Sequence, residues 1–216
     1  VEDRIKEALD SILVCDKPVG VLVSGGADSA LLLYLLLSKY KSKVHIFSLD
    51  IGKQRGVDIV HNIDVIRRCI QLTGNYNVEQ HINYTGGFNL GETFALAEEY
   101  VNDGRIHYLF TGITKNPPVE VQDTWPKKLP VSTQLTDIRS NREPDEYRDP
   151  FRHSEDRKIY PWTNLDKQDI AYLYREYDLI ESIFPYTRSC INNDVGDVHC
   201  GECWWCGERR WGFGTL

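Results

Sequence analysis

The sequence predicts an α/β protein built on an open parallel sheet with helices on both faces. Short β-branched apolar runs alternate with longer stretches of helical period, as buried parallel strands and covering helices require. The first of these runs, ending at Val23, breaks into Ser24-Gly25-Gly26 where a strong helical pattern begins. A chain of 216 residues supports one substantial core with a small appendage. The expected division is an α/β domain over 1–180 and a cysteine-rich segment over 181–216.

Taken in order, Ile5, Ala8, Leu9, Ile12 and Leu13 fall on one face of an opening helix. The run 19–23 predicts the first strand, and 28–39 the helix after it. Residues 44–49 predict a second strand ending in Asp50-Ile51-Gly52. Ile59, Ile63, Ile66 and Ile70 share a helical face that stops near Gly74, and 78–82 reads as the third strand. Residues 92–101 read as helix, and 108–110 as a fourth strand running into Thr111-Gly112. From about 113 to 158 periodicity stops. Trp125, Tyr147 and Phe151 are interleaved there with Arg139, Arg142, Arg148 and Arg152. The segment is expected to be a substrate-facing cover, with solvated disorder the competing reading. Residues 164–177 form the last expected helix, with Asn164 or Asp166 as its cap.

Composition narrows the function classes. Lys and Arg number 25 against 32 Asp and Glu, a net charge of −7, which disfavours extended contact with a nucleic-acid backbone. The longest apolar run, 30–37, is far short of the roughly 20 residues of a membrane span, so a cytoplasmic protein is expected. Cys15 and Cys69 stand alone in apolar patterns and read as inert buried thiols. His45, His61, His81 and His107 lie in strand or helix patterns and read as packing residues, while His153 lies in the cover.

The turn after the first strand has the make-up of a phosphate cradle. Gly25 and Gly26 allow close approach of backbone to an anion, and the N–H groups of the following helix end point at it. Ser24 and Ser29 donate hydroxyls; Asp28 suits a metal ion or a helix cap. A plain turn is the competing role. Neither Gly-Lys-Ser/Thr nor Gly-x-Gly-x-x-Gly is present. Ser-Gly-Gly-x-Asp-Ser after a strand resembles the PP-loop of the ATP pyrophosphatases, which split ATP into AMP and pyrophosphate.

Cys190, Cys200, Cys203 and Cys206 crowd into the C-terminal segment, the last three at two-residue gaps that let successive sulfurs face one centre. Four thiolates suit a closed, structural zinc site; an iron–sulfur cluster competes for the same spacing. His199 adjoins Cys200 and is left out of the set. These cysteines with Arg209 and Gly212-Phe213, together with Tyr160-Pro161-Trp162, Leu165-Asp166-Lys167-x-Asp169-Ile170 and Asp50-x-Gly52-x-x-Arg55, resemble the 7-cyano-7-deazaguanine synthase family of queuosine precursor synthesis.

That resemblance implies an adenine-nucleotide α-hydrolase-like fold and an ATP-dependent carbon–nitrogen ligase using magnesium and zinc. The carboxylate of 7-carboxy-7-deazaguanine would be adenylated, amidated by ammonia and dehydrated to the nitrile. Val23, Ser24, Gly25, Gly26, Asp28 and Ser29 would hold the phosphates, Asp28 beside magnesium, with Lys167 the cation on the pyrophosphate. A solvated surface position competes for Lys167. Asp50, Thr111 and Gly112 sit at strand ends and would frame the nucleotide, against a capping or turn role. Arg188 and Arg209 would contact an anionic substrate or pair with acids, and a homodimer is implied. The segment 114–158 and Asn89-Leu90-Gly91-Glu92 depart from the family's sequences. The alternatives are therefore a relative adenylating another carboxylate in a modification or defence pathway, a PP-loop tRNA-modifying enzyme, and a non-catalytic nucleotide-binding module.

Overall fold

The computed structural model describes residues 2–13, 15–50, 59–84, 90–125, 147–151, 157–190 and 198–216. Five strands, β1 (Val19–Leu22), β2 (Val44–Asp50), β3 (Val78–Tyr84), β4 (Leu109–Thr111) and β5 (Lys158–Ile159), form one sheet in the order β3-β2-β1-β4-β5. Every pairing is parallel. Seven helices accompany them among the described residues: α1 (Glu2–Asp10), α2 (Ala27–Lys39), α3 (Ile59–Thr73), α4 (Leu90–Asn102), α5 (Val119–Gln122), α6 (Lys167–Glu176) and α7 (Trp204–Phe213).

Period-2 alternation divides the strands between two apolar layers. Val19 and Val21 of β1, Val44 and Ile46 of β2, and Phe110 of β4 face α1, α2, α3 and α6. Phe47, Leu109 and Leu22 face the other way, against Ala97 and Val101 of α4. Helices on both faces explain why these strands read as continuous apolar runs. Leu31, Leu32, Leu33, Leu35, Leu36 and Leu37 of α2 are all buried, because this helix lies between the sheet and its neighbours and has little solvent face to keep polar.

Strand order places the crevice. The chain runs outward from β1 to β2 and β3, then returns to the opposite side of β1 for β4 and β5. The reversal between β1 and β4 opens a gap at their carboxyl ends, where open α/β sheets take ligands.

Three elements were not legible in the sequence pattern. The two-residue β5 is too short to show periodicity. Inside the expected cover, α5 has a single turn, and α7 begins among cysteines that read as a loop. Of the two candidate caps, Asp166 caps α6, accepting from the N–H groups of Gln168 (2.8 Å) and Asp169 (3.1 Å), and Asp169 Oδ2 accepts from the N–H of Asp166 (3.1 Å). Asn164 instead exchanges two hydrogen bonds with the backbone of Arg148 (2.8 and 2.7 Å), pinning the end of the cover. Tyr147, expected to face a substrate, donates its hydroxyl to Glu7 of α1 at 2.6 Å, and Phe151 packs on the α1 side of the core. Arg139, Arg142, Arg152 and His153 lie outside the described residues.

Replacing Asp166 by Ala should cost about 1 kcal/mol of stability in urea unfolding, the usual loss for a helix cap. Asp166→Asn should retain most of it, because its side-chain oxygen accepts the same bonds. Burial and the neighbouring Asp169 hold the Asp166 carboxyl above its ordinary range, so its charge is a cost that Asn does not carry.

Candidate nucleotide site and cysteine centre

The Ser24–Ser29 loop, expected as a PP-loop, follows β1 at the carboxyl edge of the sheet beside β4. Val23 continues β1 by donating its N–H to Phe47 O at 2.9 Å, and Gly25 turns the chain with φ 78°, a left-handed conformation costly for other residues. Gly26 precedes the first turn of α2 with extended backbone and no side-chain cap. Ser29 Oγ accepts from the N–H of Ser24 at 3.2 Å and lies 3.3 Å from Ser24 Oγ. The two hydroxyls therefore sit together beside the open N–H groups of α2, a ready-made anion site.

Asp28 does not cap the helix. Its carboxylate oxygens lie 2.6 and 2.5 Å from Lys167 Nζ, which also lies 3.6 Å from Glu208 Oε2. The Lys167 side chain is only 4% exposed, which replaces the solvated-surface reading with a buried ammonium between two carboxylates. Trp162 Nε1 donates to Asp28 O (3.1 Å) and Tyr174 Oη to Ala27 O (2.9 Å), so residues near α6 lock the first turn of α2.

Thr111 is buried at the end of β4. A Cβ on Gly112 would stand 3.1 Å from Ser29 N and 3.2 Å from Asp28 O, so glycine lets β4 close against the loop. Asp50 ends β2 at the same edge of the sheet, opposite Tyr84 of β3; its side chain lies outside the described residues, as does Asn89.

Arg188 and Arg209 meet in one cavity of about 300 Å³ that His61, Phe184, Thr187 and His199 also line. The N–H of Arg188 donates to Gly25 O at 2.9 Å, joining this cavity to the PP-loop. Arg209 donates to Thr187 Oγ1 (2.8 Å) and Phe184 O (3.2 Å) and stacks 3.8 Å from the Phe184 ring centroid. Burial pushes its pKa down to about 10. Much of this guanidinium is thus committed to holding the 184–187 turn.

The four C-terminal cysteines converge, their sulfurs all within 4.8 Å of one another, and all are free thiols. Cys200 and Cys206 sulfurs are 3.9 Å apart, close to the roughly 3.8 Å edge of a tetrahedron with metal–sulfur bonds of about 2.3 Å. The N–H groups of Cys200, Glu202 and Cys203 donate to cysteine sulfurs at 3.3, 3.4 and 3.3 Å, an arrangement that favours thiolates. Cys206 stands in the first turn of α7. The donor set fits a metal. Cys69 is a buried thiol raised to about 12 by desolvation, as expected of an inert residue; Cys15 is only half-buried.

Glu208 and Asn62 escaped the sequence reading, and Gly212 entered it only through the family resemblance. Glu208 stands among tryptophans and arginines with no periodic signal to mark it. Gly212 lets α7 lie against α6, since a Cβ there would stand 2.7 Å from Lys167 O. Asn62 of α3 is fully buried beside Gly25, its Oδ1 3.3 Å from where a Cβ would stand, and its amide atoms have no partner among the described residues.

Comparison with known proteins adds the following. Residues 1–69, which include β1, the PP-loop and α2, match the asparagine synthase family. No curated protein matches the chain. Among solved structures it is similar to the U34-tRNA thiolase NcsA from Methanococcus maripaludis with its [4Fe-4S] cluster. That similarity has 16% identity and a TM-score of 0.45, over 97% of this chain and 78% of the other. It is also similar to the NH3-dependent NAD synthetase from Campylobacter jejuni subsp. jejuni NCTC 11168, in complex with the nitrate ion. Here identity is 14% and the TM-score 0.48, over 85% of this chain and 76% of that one. No helix among the described residues is long and apolar enough to cross a membrane.

Gly212→Ala should force α7 away from Lys167 and lower stability by about 1–3 kcal/mol, the range for overpacking. Urea unfolding reads the loss. Unchanged stability would show that the α6–α7 contact is loose.

Proposed function

We propose that this chain is an ATP-dependent ligase that adenylates a carboxylate and joins it to ammonia, with 7-carboxy-7-deazaguanine as the substrate and 7-cyano-7-deazaguanine as the product. The observation that carries the adenylating chemistry is the Ser24–Ser29 loop at the strand-order reversal, with Lys167 held against Asp28. The match of residues 1–69 to the asparagine synthase family accords with a ligase reading. The choice of substrate rests on the motif resemblance of the cysteine segment and of residues 160–170.

A carboxylate is a poor electrophile, so its hydroxide-equivalent oxygen must leave on a better group. In this reading the substrate oxygen attacks the α-phosphorus of ATP and pyrophosphate departs. Ammonia then attacks the acyl carbon, AMP leaves, and a proton is lost to give the amide. The amide oxygen then attacks the α-phosphorus of a second ATP, pyrophosphate departs, and loss of AMP and of both N–H protons forms the nitrile.

The chain's own groups serve the phosphates. Ser24 and Ser29 hydroxyls and the α2 N–H groups receive the pyrophosphate oxygens, where fixed donors stabilise charge as it develops. Asp28 has acceptor capacity for magnesium beyond its contact with Lys167, and magnesium would supply charge neutralisation there. Lys167 brings positive charge to the same point. Arg188, joined to the loop through Gly25, and Arg209 supply positive charge to the cavity for an anionic acceptor. The four cysteines would hold zinc in a closed site that ties Cys190, Cys200 and Cys203 to α7 and leaves no position for a reacting water.

With ATP, magnesium, ammonia and 7-carboxy-7-deazaguanine, the wild type should release AMP and form the nitrile. AMP appearing only with other carboxylates would move the substrate, and ATP binding without AMP release would make the chain a nucleotide-binding module. Asp28→Ala should reduce AMP formation at least 100-fold while circular dichroism still reports a folded chain. A metal assay should find one zinc per chain in colourless protein, with a lower melting temperature after chelation. Iron with a brown colour would instead assign a cluster and favour a thiolase-type enzyme.

A further inference from the structure

A second group of metal-ligating side chains lies away from the PP-loop. His45 of β2 and Glu79 and His81 of β3 offer one ligand atom each within 4.8 Å of one another. The register makes this grouping. His45 stands opposite Glu79, and His81 is two residues further along β3, so all three project from one face of the sheet. That face is covered by α4. His45 lies 5.3 Å from the His81 ring with the planes 5° apart, and Tyr100 of α4 packs edge-on against both imidazoles.

The geometry points to a binding site for a single divalent transition-metal ion, held by His45 Nδ1, His81 Nε2 and a Glu79 carboxylate oxygen. His45 Nδ1 and His81 Nε2 share a hydrogen bond at 3.0 Å, a few tenths of an ångström short of the roughly 3.3 Å between two nitrogens on tetrahedral zinc, so an ion would take the place of the shared proton, which moves to an outer ring nitrogen. Glu79 Oε1 is 3.7 Å from the same His81 nitrogen. The outer groups orient the donors. Tyr100 Oη lies 3.5 Å from His81 Nδ1, the nitrogen turned away from the cluster, and Lys43 holds Glu79 Oε2 at 3.0 Å. Metal-bound imidazoles and carboxylates are characteristically oriented in this way.

Two imidazoles and a carboxylate suit zinc, nickel or copper, rather than the hard oxygen-loving cations that ATP carries. Glu79 is half exposed at the open edge of β3, so the ion has a route in and water can complete its shell. His45 pairs with the Glu79 level of the sheet, five residues before Asp50, roughly 15 Å along the strand from the nucleotide edge. The ion would therefore fasten the edge strand β3 to β2 rather than take part in the ligase chemistry, and the assignment stands independently of that chemistry.

Cobalt(II) titrated into the full chain distinguishes the two centres. Binding at the cysteines produces thiolate-to-metal charge transfer, whereas binding at His45, Glu79 and His81 produces ligand-field bands alone. One equivalent of the second kind is expected, displaced by zinc, with zinc shifting the His45 and His81 imidazole resonances in NMR. His45→Gln and Glu79→Gln should each weaken this uptake at least tenfold; Glu79 is half exposed, so its variant is the one that leaves packing intact. Absence of a thiolate-free equivalent in the wild type, unshifted imidazole resonances, or equal uptake by folded Glu79→Gln would each overturn the assignment.

Discussion

A buried ammonium between two carboxylates joins the two halves of the chain. Lys167 opens α6, Asp28 lies in the first turn of α2, and Glu208 comes from α7. Three full charges leave water in such a contact, and their mutual attraction has to offset that desolvation, so the triad is a weak source of net stability. Its effect is on specificity. With any other seating of α6, Asp28 and Glu208 would lose this ammonium, and breaking a buried ion pair costs several kcal/mol. Asp166 and Asp169 fix where α6 begins, and Gly212 lets α7 close over it.

The same contact aligns the loop with the sheet. β1 and β4 pair as far as Leu22 and Thr111, Gly112 lets the chain after β4 approach α2, and Trp162 and Tyr174 hold the α2 carbonyls from the α6 side. The Ser24 and Ser29 hydroxyls then share a small space with the helix N–H groups. Because rigid elements supply these donors, an anion placed there would meet them with little reorganisation. The cysteine centre extends the arrangement: it sets the first turn of α7, and α7 carries Glu208 and Arg209 to the loop and its neighbouring cavity.

The cover illustrates a different balance. Tyr147 and Phe151 were read as substrate-facing because aromatics interleaved with arginines suit an anionic partner. Phe151 instead packs against the core, Tyr147 stays exposed with its hydroxyl on Glu7, and the Trp125 ring meets Trp204 of α7 edge-on at 5.1 Å between centroids. An aromatic ring in an aperiodic segment buries wherever the folded surface offers an apolar neighbour, and local sequence carries no information on where that neighbour lies.

Local chemistry was sufficient to identify the parallel α/β class, the glycine turn between β1 and α2, and the four cysteines that converge. Each is written in short-range form: apolar period, glycines at a strand-to-helix turn, and thiols at fixed gaps. Tertiary structure alone decided that Lys167 is buried against Asp28, that Asn164 pins the cover while Asp166 caps the helix, that Glu208 and Gly212 lie against Lys167, and that Asn62 lies beside Gly25. It also brought His45 and His81, which read as packing residues, together with Glu79. These contacts join residues far apart in the chain, and their partners are set by strand order and helix packing, which no short window of sequence contains.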